Sequence, residues 1–345
     1  MIHIRAYKTE DIPALNRILN QASTSRFTAA VPFISVRQSS EFFAGLPPTT
    51  HMLVACDDEG EIVGGADLRV DAHPRCAHTA SLGIMVAEEA RRRGVGRALM
   101  EALLDLADNW LNISRVSLVV YANNLAAIPL YQQLGFAVEA RLRRHARQGG
   151  ELADSYIMAR LRPGLQPDLS PPPPSPPQRK LSGDLLLRAL ELGDAAAYVA
   201  LMHQPSSFHF MLTVPHRPSV AEAEKRLASL TGENRAIGAF VGDQLVGTAF
   251  LKVCDGRRRH AGELDIMKVH DEFQGQGIAR RLMDAILDIA DNWLGLTRVG
   301  LYVVADNERA IELYKSVGFE VEGRLCADTF RHGGYVDVLV MSRLR

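Results

Sequence analysis

Two short turns with an offset of 183 residues carry the residue types that could hold an anion. The first reads Arg91-Arg92-Arg93-Gly94-Val95-Gly96-Arg97 and the second Gln274-Gly275-Gln276-Gly277-Ile278-Ala279-Arg280. Small residues let a backbone approach a ligand closely. The apolar-periodic stretch after each turn predicts a helix, whose free N–H groups and positive dipole end favour phosphate. Arg91, Arg92 and Arg93 add cations for further phosphate contact. Neither turn is a P-loop, because no Gly-Lys-Ser/Thr follows. Neither is a dinucleotide fingerprint, because the first glycine and the acidic residue about 20 positions on are missing.

About 30 residues after each turn comes a second motif. It reads Asn123-Asn124 through Tyr131 to Gly135-Phe136, and again Asp306-Asn307 through Tyr314 to Gly318-Phe319. The tyrosine hydroxyls are candidate proton donors. The stretch before the second turn holds Glu263 and Asp265 at alternating positions, so either could act as a base, directly or through a water. The corresponding stretch of the first half, His78 to Val86, has no carboxylate. His78 could serve there, although a lone strand histidine is more often structural.

The elements that position these residues are written twice. The same offset pairs Arg5 with Arg188, Gly64 with Gly247, Trp110 with Trp293 and Arg160 with Arg343. The period is that of whole domains, not of short solenoid repeats. The boundaries expected are 1–162 and 184–345, joined by 163–183. The joining segment holds PPPPSPP, whose proline density favours an extended, semi-rigid spacer.

Each unit reads strand, helix, a variable helical segment, several strands, then helix, strand, helix and strands. MLVACD and EIVGGADLRV flank Asp58-Glu59-Gly60 as a hairpin. A helix is expected from about Arg97 to Asn109, with Leu99, Ala102, Leu103, Leu106 and Trp110 on one face. The run VSLVV at 116–120 suits a strand buried on both faces. A second helix is expected from Asn123 to the glycine at Gly135. The fold class is therefore α/β, a mixed sheet with helices on its faces.

Composition narrows the function classes. The 345 residues are 47% hydrophobic and 23% charged, with 39 Lys plus Arg against 40 Asp plus Glu. That balance points to no nucleic-acid or membrane partner. No stretch reaches the ~18 apolar residues of a membrane span, and the start MIHIRAY has no signal-peptide character. Cys56, Cys76, Cys254 and Cys326 are scattered and read as reduced thiols in a cytoplasmic protein. No metal is expected, since no cluster has ligand spacing. The oligomeric state is not fixed by the sequence, and the duplication allows a pseudo-dimer within one chain.

The paired motifs resemble those of the GCN5-related N-acetyltransferase (GNAT) family over both units. The resemblance implies two tandem domains, each with a mixed sheet whose central strands splay apart around the pantetheine arm of acetyl-CoA. It implies pantetheine contacts from Val86 and Val269 and pyrophosphate binding by Arg91 to Arg97 and Gln274 to Arg280. It implies cofactor-arm contacts from Asn124 and Asn307. Tyr131 and Tyr314 are then the acids toward sulfur, with Glu263 the leading base.

The expected acceptor is the amine of a small molecule. The variable segment Gln204-Pro205-Ser206-Ser207-Phe208-His209-Phe210 through Val214-Pro215-His216, with Tyr335-Val336-Asp337, is similar to the bacterial L-amino-acid N-acetyltransferase branch. The first unit keeps Gln21, Phe27, Val31 and Pro32 but lacks both histidines. Arg141 and Arg324 could pair with a substrate carboxylate, or be plain surface arginines. Two alternatives stay open. The first unit could be a non-catalytic acetyl-CoA-binding or regulatory module. The acceptor could be a protein N-terminus, a polyamine or an antibiotic, although few acidic residues flank 203–218.

Overall fold

A computed structural model describes every residue except Met1, Thr213, Pro215, His216, Arg217 and Thr231. The chain divides into two compact units, Met1–Gln166 and Pro167–Arg345. The first contains β1 (His3–Ala6), α1 (Ile12–Asn20), α2 (Ala22–Ser25), α3 (Val36–Ala44), β2 (Thr50–Cys56), β3 (Ile62–Val70) and β4 (Thr79–Val86). It continues with α4 (Val95–Asp105), β5 (Arg115–Tyr121), α5 (Ile128–Gln133), β6 (Ala137–Gln148) and β7 (Glu151–Leu161). Its strands lie in the order β1-β2-β3-β4-β5-β7-β6. The second contains β8 (Leu185–Ala189), α6 (Ala195–Met202), α7 (Pro205–Phe210), α8 (Val220–Ala228), β9 (Arg235–Val241), β10 (Gln244–Val253) and β11 (Ala261–Val269). Then follow α9 (Ile278–Asp288), β12 (Arg298–Val304), α10 (Glu308–Ser316), β13 (Glu320–Arg331) and β14 (Gly334–Leu344). Its order is β8-β9-β10-β11-β12-β14-β13.

Within each unit one pair is parallel, β4 with β5 and β11 with β12. A parallel pair needs a crossover, which α4 and α9 supply. Their apolar stripes, Val95, Leu99 and Leu103 or Ile278, Leu282 and Ile286, are fully buried. Each leucine contributes roughly 1.5–3 kcal/mol by leaving water. Gly64 lets α4 settle on the sheet, since a Cβ there would come within 3.1 Å of Val95 and 3.2 Å of Leu99. The opposite face carries α1 and α3, or α6 and α8. In the second unit that face has its own apolar cluster, including Tyr198, Leu227, Phe250 and Ile266.

The structure corrects four expectations. First, the long helices do not keep their tryptophans on the buried stripe. Leu111 N–H bonds to the Leu106 carbonyl (3.0 Å) and Leu294 N–H to that of Ile289 (2.9 Å), which makes the last turns π-helical. The wider turn rotates Trp110 and Trp293 into solvent, 76% and 79% exposed. It also aims Asp108 at Arg160 and Asp291 at Arg343 in two-pronged ion pairs of 2.7–2.8 Å. Second, VSLVV is not buried throughout, because Val119 lies where β4 has left β5. Third, α5 starts at Ile128 rather than Asn123, with Pro129 in its first turn, the one place a helix tolerates proline.

Fourth, the offset of 183 fails inside one strand. The β10–β11 ladder shifts register between Phe250 and Leu251, leaving Asp265 as an extra residue in a bulge. The β3–β4 ladder has no such shift. Glu263 therefore lies opposite Lys252 just as Ser81 lies opposite Arg69, so Ser81 is its counterpart.

Each unit buries an arginine–glutamate pair that no local pattern announces. Arg115 meets Glu139 at 3.0 and 2.6 Å, and Arg298 meets Glu322 at 2.8 and 2.5 Å. Removing one partner leaves the other charge buried and uncompensated, which costs about 3–5 kcal/mol. Arg298→Ala is thus expected to move the urea unfolding transition of the C-terminal unit sharply to lower concentration. Lys315→Ala, on the surface of the same unit, should shift it little.

Candidate active site

The parallel strands stay paired only at their beginnings. In the first unit the ladder covers Thr79, Ala80 and Ser81 against Arg115, Val116 and Ser117. In the second it runs from Ala261–Arg298 to Leu264–Leu301. Beyond those points β4 and β11 run on, to Val86 and Val269, without pairing to β5 and β12. Backbone N–H and C=O groups on the facing edges are left for another partner. An amide-bearing chain such as pantetheine suits such a gap.

The two turns at the end of the gap share a backbone shape. Gly94 and Gly277 sit at φ 85° and 80° and open α4 and α9 as N-caps. Two positions earlier Arg92 holds φ 62° where Gly275 holds 81°. This left-handed shape is costly for arginine, yet the turn keeps it. Alternating backbone of this kind aims successive N–H groups at one point, which favours an anion. The charge comes from different places. The first turn has its own arginines, with Arg91 also donating to Thr24 Oγ1 (2.8 Å). In the second, Arg309 at the start of α10 reaches over Gly275 and donates to Gln274 Oε1 (3.0 Å). Arg309 was not legible as a site residue, because its counterpart in the first unit is Ala126.

The segment after α1 and α6 bridges the two separated strands. Gln21 accepts from Glu88 N–H (2.8 Å) and donates to Glu89 (2.9 Å), beside the end of β4. On the β5 side, Gln148 donates to the Arg26 carbonyl (3.0 Å) and accepts from Asn123 (2.6 Å). Phe27 meets Tyr121 edge-on at 6.4 Å. The second unit repeats this bridge with charges. Gln204 accepts from Asp271 N–H (2.6 Å), and Asp271 pairs with buried Lys268 (2.7 Å) and with Ser206. Arg331 donates to the His209 carbonyl (2.9 Å) and to Asp306 (2.6 Å). His209 is buried edge-on to Phe210 at 4.6 Å, and burial, then Arg331, lower its pKa. Pro215 and His216, expected in the acceptor pocket, lie outside the described residues.

Tyr131 and Tyr314 are buried against Phe136 and Phe319, at 6.2 and 5.9 Å. Burial pushes the Tyr131 phenol up to about 12 and raises that of Tyr314 as well. Both stay protonated at neutral pH, as an acid must. Asn307 caps α10 by accepting from Ala310 N–H (3.3 Å). Asn124 lies in the turn before α5, its carbonyl accepting from Ala127 N–H (3.1 Å). Arg97 and Arg280 lie along their helices, paired with Glu101 (3.4 Å) and Asp284 (2.9 Å).

Glu263 sits on the last paired residues of β11. Its neighbour Leu264 faces the α9 core, so Glu263 points to the other face, toward α6 and α8. Arg258 holds it at 2.5 Å. Asp265 is paired with Arg226 of α8, which lies over Phe250. Tyr302, missed in the sequence, follows Gly300, the register partner of Glu263, on the same face. Arg141 and Arg324 already pair with Asp154 (2.8 Å) and Asp337 (2.6 Å). Those aspartates also accept from Arg144 and Ala327 N–H at 2.8 Å, closing the bulges of β6 and β13.

The end of the proline-rich segment lies on the second turn. Gln276 accepts from Leu181 N–H (2.9 Å) and donates to the Arg179 carbonyl (2.7 Å). Gln178, Lys180 and Leu181 line an open hollow together with Gln274, Gly275 and Gln276. Among the described residues no group of His, Cys, Asp and Glu could hold a metal ion, and no helix is long and apolar enough to cross a membrane.

The sequence profile of the Acetyltransferase (GNAT) family matches residues 15–136 and again 198–319. The L-amino acid N-acetyltransferase AaaT of Escherichia coli strain K12 is 37% identical over 161 residues, 47% of this chain and 98% of that protein. A mycothiol acetyltransferase of Saccharopolyspora erythraea is 28% identical over 302 residues, 82% of this chain and 86% of that protein. The structure of a GCN5-related N-acetyltransferase from Kribbella flavida covers 47% of this chain and 98% of its own, at 27% identity and a TM-score of 0.41.

The bridge of the second unit also depends on pH. Asp168 pairs with Arg331 at 2.5 Å. Burial pushes its carboxyl up, but bonds from Ser170 and Arg331 outweigh that and hold it at about 2. A carboxylate whose folded pKa is depressed stabilises above its ordinary value, and loses that contribution as pH falls toward the folded one. Urea melts at pH 5, 3 and 2 should show stability falling between roughly pH 4 and 2. Asp168→Asn should be less stable at pH 5 and show a weaker fall.

Proposed function

Since this chain belongs to the acetyltransferase (GNAT) family and is an acetyl-CoA-dependent N-acetyltransferase, we propose that its C-terminal unit acetylates the amine of an amino acid or an amino-acid-like small molecule. The observation that carries the reading is the position of Glu263. It is a carboxylate at the point where β11 and β12 part, on the face that the bridging segment crosses. The likeness to an L-amino acid N-acetyltransferase over nearly that protein's whole length supports the acceptor class.

Each chemical need then has a group. The separated strand edges would hold pantetheine at Val269, and the turn Gln274 to Arg280 with Arg309 would hold the pyrophosphate. Glu263 would take the amine proton, directly or through a water, with Arg258 orienting it. The amine nitrogen attacks the thioester carbonyl carbon, and the C–S bond breaks. Tyr314, kept protonated by burial, would give its proton to the departing sulfur. In the N-terminal unit Ser81 stands where Glu263 does. Taken on β4 alone, that substitution favours a non-catalytic acetyl-CoA-binding role for this unit.

A CoA-release assay on the full chain, across L-amino acids, polyamines, an aminoglycoside and a short peptide, tests the reading. Turnover is expected with amino acids or their analogues. Glu263→Gln and Tyr314→Phe should each lower the C-terminal unit's kcat by about 100-fold or more, with little change in CoA affinity by calorimetry. Unchanged rates in both variants would overturn the assignment.

A further inference from the structure

The N-terminal unit does have a carboxylate at the splay, on the neighbouring strand. Asp67 of β3 lies directly opposite Gly83 of β4. Gly83 is the second residue beyond Ser81, where β4 and β5 stop pairing. A Cβ built on Gly83 would meet Asp67 Oδ1 at 2.8 Å, so the carboxylate occupies the space that a β4 side chain would fill. Its face is also the right one. Gly65, two residues earlier on β3, faces Leu15 of α1, whereas Gly64 faces Val95 and Leu99 of α4. Asp67 therefore points to the α1 side, which the bridging segment 21–28 crosses.

Its bonding is incomplete. Arg69 Nη2 donates to Oδ1 (3.1 Å). Arg69 Nε comes within 2.7 Å of Oδ2 but is not aligned, and Oδ2 is buried with no hydrogen bond among the described residues. Oδ2 is thus held by charge attraction alone, with its lone pairs not taken up by an aligned donor. Burial raises its pKa and outweighs the Arg69 guanidinium beside it, which lowers it. The C-terminal unit has Phe250 and Ile266 at these two places, both in an apolar cluster.

We infer that Asp67 is the general base of a second acetyl-transfer site, in the N-terminal unit, doing from β3 what Glu263 does from β11. The inference rests on the acetyltransferase reading above. The acceptor amine's nitrogen forms the new C–N bond to the acetyl carbonyl carbon and gives its proton to Asp67 Oδ2. The C–S bond breaks, and the sulfur leaves with the bonding pair and takes a proton from Tyr131. Solvent then removes the proton from Asp67 and restores that of Tyr131.

The test uses the full chain with the C-terminal site silenced by Glu263→Gln and Tyr314→Phe. Turnover should persist in this background. Adding Asp67→Asn should cut kcat at least tenfold, leave KM for acetyl-CoA within about twofold, and remove the carboxylate's rise from the rate–pH profile. Asp67→Glu should recover part of the rate. Calorimetry with CoA on the Asp67→Asn chain checks that the unit still folds and binds. A silenced chain without turnover, or an Asp67→Asn chain within twofold of its parent, overturns the inference. If the unmodified chain is active through the C-terminal unit alone, the acetyltransferase reading stands and only this inference falls. If no amine is acetylated by the unmodified chain, both fall.

Discussion

Everything functional in each unit follows from one broken ladder. Parallel strands normally bond to each other along their length, and leaving buried backbone groups unpaired costs on the order of 1–3 kcal/mol each. Here β4 and β5, and again β11 and β12, stop bonding after three or four residues. The remaining lengths stay in place because their outer edges are fully paired, β4 to β3 through Val86 and β5 to β7 through Tyr121. The buried pair Arg115–Glu139 and its twin Arg298–Glu322 stand at the paired beginnings of β5 and β12. The cost of the opening is thus carried by antiparallel neighbours, and the opening is left free for a ligand's amides.

The two units solve the bridging of that opening with the same geometry and different charge. A glutamine, Gln21 or Gln204, reads the backbone N–H just past the strand end. On the far side the first unit uses a neutral amide pair, Asn123 and Gln148, where the second uses Asp306 and Arg331. Charged hydrogen bonds are stronger but depend on pH, and a buried arginine needs more than one acceptor. Arg331 finds a further one in Asp168, from the proline-rich segment. That segment is therefore structural for the second unit as well as a connector.

The amino-acid sequence displays this architecture unevenly, for physical reasons. The duplication, both turns and both tyrosines are legible because each is local: a glycine that must adopt positive φ, a helix start, a short motif at fixed spacing. The π-turns are hidden, because apolar spacing predicts Trp110 on the stripe, and the Asp108–Arg160 pair that accompanies the wider turn joins residues 52 positions apart. Arg115–Glu139 and Arg309–Gln274 are equally non-local. Asp67 is invisible for a different reason. The counterpart of Glu263 lies on β4, whereas Asp67 lies on β3, and a residue's cross-strand partner cannot be read without the register.

That register turns on a single residue. With the bulge at Asp265, Glu263 and Ile266 share the α6–α8 face although they are three positions apart. Ile266 then fills the place beside Phe250, whose ring lies 5.7 Å from that of Tyr198, and completes an apolar cluster. A carboxylate at position 250 would replace Phe250 in that cluster and forfeit its apolar packing. Without the bulge, the same face receives Ser81 and Gly83, and the missing side chain at Gly83 leaves room for Asp67. An acidic group on β3 and an apolar plug on β4 exclude each other, so the absent side chain at Gly83, where the second unit has Ile266, is what leaves room for a carboxylate on β3. The two units share one opening and one turn, and differ in the side chains that meet at this cross-strand pair.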